Sequence, residues 1–254
     1  MEIVIIGSGN VATHLAKALR ANNITISQIY SRSLESAQNL ANIIGSDFTN
    51  SVSKISRKAD IYFYAITDDA LLSIIESIDI PNAIHVHTAG SVDMEIFKNH
   101  VNYYGVFYPL QTFSRTKELH FKDVPILIEA SDIVTENQLF KIANTVSENC
   151  LKANSTQRKQ IHLAAVFVCN FTNYMYTVGA DLAENSSLSF DILKPLIAET
   201  ANKINFLTPK DAQTGPATRN DKKIINEHLI MLETEPELQK LYLEISDQIY
   251  KMKK

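Results

Sequence analysis

The chain has 254 residues, with 24 Lys and Arg against 28 Asp and Glu, a formal charge of −4, and is 45% hydrophobic and 20% charged. That composition excludes a disordered chain, and the mild acidic excess argues against partners rich in phosphate, so neither nucleic acid nor a membrane surface is expected. At roughly 150 residues per domain, the length accommodates one large domain or two modest ones.

Short apolar runs at residues 3–6, 24–30, 60–66, 83–87 and 124–128 read as strands. The first four alternate with helical patterns at 10–21, 34–44 and 70–77, the order of βα units in a parallel sheet. The second half changes character. Residues 157–184 read as one helix, about 42 Å long at 1.5 Å per residue, followed by helical patterns at 192–205, 222–232 and 236–251. The last has an apparent capping box, Thr234 with Glu237, and an apolar stripe through Leu238, Leu241, Tyr242, Ile245 and Ile249. The change of pattern predicts an α/β domain over 1–153 and an all-α domain over 154–254. Residues 161–180 lack Asp, Glu, Lys and Arg, long enough to span a bilayer, but His162, Asn170, Thr172, Asn173 and Thr177 favour a buried protein helix. The start, Met1 to Gly7, has no basic n-region, so no signal peptide and a cytoplasmic location are expected. Cys150 and Cys169 offer neither metal spacing nor a disulfide framework.

Glycine is scarce, seven in the chain, and two fall in Gly7-Ser8-Gly9-Asn10-Val11-Ala12, between the first strand and the first helix. This is the dinucleotide fingerprint with alanine in its third small position. Gly7 permits the turn, Gly9 lets backbone approach the pyrophosphate, Ala12 keeps helix and strand close, and the helix N-terminus faces the phosphates. At the end of the second strand an acid selects NAD and a base accepts the 2′-phosphate of NADP. Here stand Ser31, Arg32 and Ser33, which favours NADP through charge-assisted bonds from Arg32. The alternative is a solvated Arg32 with Ser33 as a helix cap. The ends of the next strands, Ala65-Ile66-Thr67 and Thr88-Ala89 with Ser91, complete the expected cofactor site. His85 and His87 share a strand face without further ligands, so sheet residues are expected and no metal.

The run 103–113 is dense in aromatics, expected to be mostly core, with Gln111 and Thr112 as candidate ligand contacts. On an ideal helix His162, Asn173, Thr177 and Asn170 form one polar stripe, facing either a ligand cleft or another polar element. Arg219, beside the Gly215-Pro216 turn, reads either as a clamp for an anionic group or as an ion-pair partner of Asp221.

The ordered landmarks Gly7-x-Gly9-x-x-Ala12, His87-Thr88-Ala89-Gly90-Ser91, Pro109-Leu110-Gln111-Thr112-Phe113, His162-Leu163-Ala164-Ala165 with Asn170, and Thr214-Gly215-Pro216-Ala217-x-Arg219-x-Asp221 with His228 carry a family resemblance. Nearly the whole chain resembles bacterial NADP oxidoreductases of the deazaflavin-coenzyme-dependent type, with a Rossmann-like domain before a C-terminal domain of unknown function. It is more distantly similar to pyrroline-5-carboxylate reductase, ketopantoate reductase and 6-phosphogluconate dehydrogenase. The resemblance implies a Rossmann-type parallel sheet followed by a helical domain of the 6-phosphogluconate dehydrogenase type, a homodimer, and an NADP-dependent reaction of a small C=O or C=N substrate in a cleft between domains. Ala89 replaces an expected serine, and no catalytic lysine stands out. His162 as general acid, Asn170 as orienting group and Arg219 as anion holder are the candidate catalytic residues. The rival expectation is a non-catalytic NADP-binding sensor.

Overall fold

The computed structural model describes residues 1–114 and 117–253. One eight-stranded sheet organises the first part, in the order β3-β2-β1-β4-β5-β6-β7-β8. Its strands are β1 (Glu2–Ile6), β2 (Thr25–Tyr30), β3 (Asp47–Thr49), β4 (Ile61–Tyr64), β5 (Ile84–His87), β6 (Tyr103–Pro109), β7 (Ile126–Ala130) and β8 (Cys150–Lys152). The helices between them are α1 (Asn10–Ala21), α2 (Leu34–Ile44), α3 (Asp68–Glu76) and α4 (Ile133–Val146).

Every pairing is parallel except β6 with β7. The wholly parallel sheet expected from the sequence is therefore a mixed one. The connection from β6 to β7 holds only a 3₁₀ turn (Phe121–Asp123) among its described residues, and no crossover helix returns the chain to the starting edge. The central strand is apolar on both faces, as a sheet covered on both sides requires. Ile3 and Ile5 pack with α1, α2 and α4, whereas Val4 and Ile6 pack with Leu71 and Ile75 of α3 and with Phe97. All four are fully buried.

Several elements escaped the sequence reading: β3, β8 and α4, with β6 recognised only as aromatic core. α4 had a signal. Asp132 caps it by accepting from the Val134 and Thr135 amides, and Thr135, Leu139, Ile142, Ala143 and Val146 are its buried face.

The predicted long helix is present, with a defect. It runs as α5 (Ser155–Ala165), a π-helical segment (Val166–Phe171) and α6 (Thr172–Asn185). A full capping box starts it, Asn154 accepting from the Gln157 amide and the Gln157 side chain from the Asn154 amide. A π-turn inserts about one residue into the spiral, so positions beyond it rotate by about 100° from the ideal projection.

The chain divides into two compact units, Met1–Asn173 and Tyr174–Lys254. The second comprises the rest of α6 with α7 (Lys194–Lys203), α8 (Pro209–Ala212), α9 (Lys222–Met231) and α10 (Pro236–Lys253). His228 Nδ1 and the Tyr242 hydroxyl, 2.7 Å apart, tie α9 to α10. α10 begins at Pro236, where the pattern places it, so Glu235 rather than Thr234 precedes its first residue, and no Thr234–Glu237 capping box is found among the described residues; the fixed φ and missing amide of Pro236 suit a first helical position. Among the described residues no helix is long and apolar enough to cross a membrane.

Candidate functional site

Gly7 ends β1 with its amide donating to the Tyr30 carbonyl (2.8 Å) and its φ at +127°, a region that side-chain-bearing residues rarely adopt. Gly9 then caps α1 with no side-chain hydrogen bond, and the first turn of α1 carries no acid. The orphan amides of that turn are thus left for an anion. A Cβ built on Gly9 meets nothing within 4 Å. This open, electropositive backbone fits a dinucleotide pyrophosphate.

A cavity of about 560 Å³ lies against that turn. Gly7, Ser8, Gly9, Asn10, Val11, Ser31, Arg32, Ala65, Ile66, Thr67, Thr88 and Ala89 all line it, so four strand ends converge here. Two expected residues do not line it. Ser33 caps α2 by accepting from the Ser36 amide (3.2 Å). Ser91 donates its hydroxyl to the Asp68 carboxylate, fastening the loop after β5 to the start of α3. The sequence reading missed the wall formed by Asp68, Ala70, Ser73 and Ile74 of α3. Ser8 and Ser31 are joined through their hydroxyls (2.8 Å), and Arg32 is exposed at the rim with no ion pair among the described residues.

A second cavity, of about 580 Å³, is lined by the end of β6 and the segment after it, together with α5 and the π-helical segment. His162 and Asn170 both line it, with Tyr108, Gln111, Thr112 and Cys169 as further polar contributors. Asn173 is not among its lining residues and Thr177 belongs to the second unit, so of the four-residue stripe this cavity takes His162 and Asn170. Arg219 is also in the second unit, exposed and without an ion pair among the described residues. Its expected alternative partner, Asp221, instead caps α9 by accepting from the Ile224 amide (3.3 Å).

The loop after β5 borders both cavities. Thr88 and Ala89 line the first, and Gly90 lies against the rings of His162 and Tyr108. Asn10 also spans the two, its side-chain amide donating to the Phe113 carbonyl (2.8 Å).

Beneath this loop the two sheet histidines are fully buried. His85 hydrogen-bonds the Tyr64 hydroxyl (2.8 Å) and the Ile80 carbonyl (2.9 Å), and burial pushes its pKa down to about 4. His87 is neutral as well, lowered to about 3 by burial and then by the Arg158 charge. Its Nδ1 accepts from the Ala89 amide (3.2 Å), which orients the loop. Among the described residues no group of three His, Cys, Asp or Glu side chains stands ready to hold a metal ion.

Arg158 is the residue that sequence inspection gave no reason to select. It is fully buried on α5, one turn before His162. Its guanidinium pairs with Glu129 of β7 and donates to the Val92 carbonyl and to the Ser155 hydroxyl (3.1 Å). Glu129 in turn accepts from the Ser155 amide (2.8 Å) and hydroxyl (2.7 Å). The ion pair thereby registers α5 against both the sheet and the loop that borders the two cavities.

Comparison with known proteins agrees with this architecture. Residues 2–88 match the family model described as NADP oxidoreductase coenzyme F420-dependent, and residues 124–249 match the domain of unknown function DUF2520. Among solved structures, a "putative NADP oxidoreductase" from Bacteroides fragilis is 45% identical, with a TM-score of 0.93 and 98% of each chain covered. At 14% identity, an imine reductase from Myxococcus stipitatus in complex with NADP+ superposes with a TM-score of 0.67 over 99% of this chain and 92% of its own. A 1-pyrroline-5-carboxylate reductase from Streptococcus pyogenes gives 13% identity and a TM-score of 0.66 over 100% and 98%. The last two share the fold. No curated protein matches the sequence significantly. The chain belongs to the family of NADP oxidoreductases in which a coenzyme F420-dependent type N-terminal domain precedes a DUF2520 domain.

Proposed function

We propose that this protein is a cytoplasmic NADPH-dependent reductase of a small C=O or C=N substrate, with the dinucleotide in the glycine-turn cavity and the substrate in the cavity beside it. One observation carries the reading: the loop 88–90 borders the first cavity and lies directly against His162 in the second. NADPH supplies a hydride for the substrate carbon. His162 supplies the proton, imidazole being the side chain most often used as a general acid. Asn170 orients the substrate by hydrogen bonding. The free thiols of Cys150 and Cys169 suit a reducing compartment.

Arg32 is assigned to the 2′-phosphate. Titrating NADPH and NADH against the wild type and Arg32→Ala, then assaying turnover over keto acids, imines and deazaflavin, tests the reading. Arg32→Ala is expected to weaken NADPH about 10- to 150-fold and to leave NADH nearly unchanged. Equal affinity of the wild type for the two cofactors refutes the role of Arg32. Tight binding without turnover of any substrate would leave a non-catalytic sensor.

A homodimer is proposed on exposed apolar surface. Phe167 (60%) and Val168 (70%) of the π-helical segment stand open, as do Phe206 (86%) and Met231 (78%) of the second unit. Such surface is what an obligate interface covers. Light scattering at micromolar concentration is expected to give twice the 28.5 kDa of one chain. A monomer mass would count against the dimer.

A further inference from the structure

We propose that Tyr108 is a positioning residue whose hydroxyl holds Nδ1 of His162, so that Nε2 is the nitrogen that exchanges a proton with the substrate. This rests on the proposed role of His162 and deepens it.

Tyr108, next to last in β6, is nearly buried, and its hydroxyl lies 3.0 Å from His162 Nδ1 with the two rings edge to face. Burial raises the pKa of the phenol, which keeps its proton. It therefore donates to Nδ1 when the imidazole is neutral. In the imidazolium the same oxygen accepts from Nδ1–H, because a hydroxyl does both. Nε2 has no hydrogen-bond partner among the described residues, and His162 lines the second cavity.

Gly90 supplies the independent observation. Its backbone is not in the positive-φ region, so no turn demands glycine there. A Cβ would stand 2.6 Å from His162 Nδ1, 2.8 Å from His162 Cγ and 2.9 Å from Tyr108 Cζ. The glycine makes room for this hydrogen-bonded pair.

The proton balance follows. As the substrate carbon takes a hydride from NADPH, the Nε2–H bond of the imidazolium breaks and the proton joins the substrate oxygen or nitrogen. The ring is momentarily neutral with its remaining proton on Nδ1, accepted by Tyr108, and then exchanges protons with solvent back to the resting tautomer, in which the Tyr108 hydroxyl donates to Nδ1. The substrate is reduced by two electrons and the nicotinamide oxidised by two.

The test is a double-mutant cycle with Tyr108→Phe and His162→Gln, assayed with NADPH and whichever imine or keto acid the wild type turns over. His162→Gln is expected to lower kcat about 10²- to 10⁴-fold, and Tyr108→Phe about 10²-fold, the cost of misplacing a reacting group. In the His162→Gln background, Tyr108→Phe should add no further loss. A multiplicative loss there overturns the proposal, since a structural role would persist without His162. A second readout needs no turnover. In ¹⁵N-labelled protein the neutral His162 ring should hold its proton on Nε2 alone in the wild type, and on both nitrogens in exchange in Tyr108→Phe. A wild-type ring in tautomeric exchange, or one unchanged by the substitution, overturns the proposal. If no substrate reacts with the wild type, the reductase reading fails while the tautomer still decides the role of Tyr108. If Tyr108→Phe does not fold, Gly90→Ala, which drives a methyl group between the pair, should release the tautomer in the same way, and an unchanged tautomer there overturns the proposal.

Discussion

Arg158→Ala is expected to lower stability by about 3–5 kcal/mol, the cost of removing one partner from a buried ion pair and leaving its counter-charge uncompensated. The Arg158 side chain is fully buried and that of Glu129 is 15% exposed. Without the guanidinium, the Glu129 carboxylate keeps, among the described residues, its two bonds from Ser155, and the Val92 carbonyl loses a donor. The midpoint of thermal unfolding should fall by roughly 6–20 °C for a chain of this size. The double variant Arg158→Met with Glu129→Met should recover much of the loss, because it removes both charges and keeps the volume. NADPH affinity should not recover with it. The ion pair also fixes where α5 meets the loop 88–92, and methionines do not reproduce that registration. A loss under about 1 kcal/mol in the single variant would show that water solvates Glu129 and that the pair is not a structural anchor.

Arg158 also shows where a sequence stops being informative. The apolar periods of β1, α1 and α2 identify those elements almost to the residue, because there local spacing and burial agree. A buried arginine contradicts its own composition class. Nothing in Ser155-Thr156-Gln157-Arg158 says that Glu129, 29 positions earlier, lies beneath it. Tyr108 was hidden for a related reason: five aromatics occur between 103 and 113, and only the fold separates the one that meets His162 from those that fill the core. The π-helical segment was invisible in a different way. The run 157–184 is helical by pattern throughout, and nothing in its spacing marks the π-helical segment at 166–171. The glycine turn was legible because only glycine performs its task.

The two glycines of that turn perform different tasks, and a paired substitution should separate them. Gly7→Ala is expected to damage the fold itself. At φ +127° an alanine is strained by about 1–3 kcal/mol, and its methyl group would be driven into the Ala65 carbonyl of the neighbouring strand end. The clash is with backbone on both sides and cannot be relieved by a rotamer change, so an unfolding midpoint at least several degrees lower is expected even without cofactor. Gly9→Ala should leave that midpoint unchanged. Gly9 has an ordinary negative φ, −75°, and a Cβ there meets no protein atom within 4 Å. The space it would fill is where the proposed site receives the pyrophosphate, at the start of α1. Gly9→Ala is therefore expected to abolish the stabilisation that saturating NADPH gives the wild type, about 2.7 kcal/mol at 100 times the dissociation constant. Measuring thermal unfolding of the three proteins with and without NADPH distinguishes the cases. If Gly9→Ala gained as much from NADPH as the wild type, the dinucleotide would not lie on this turn.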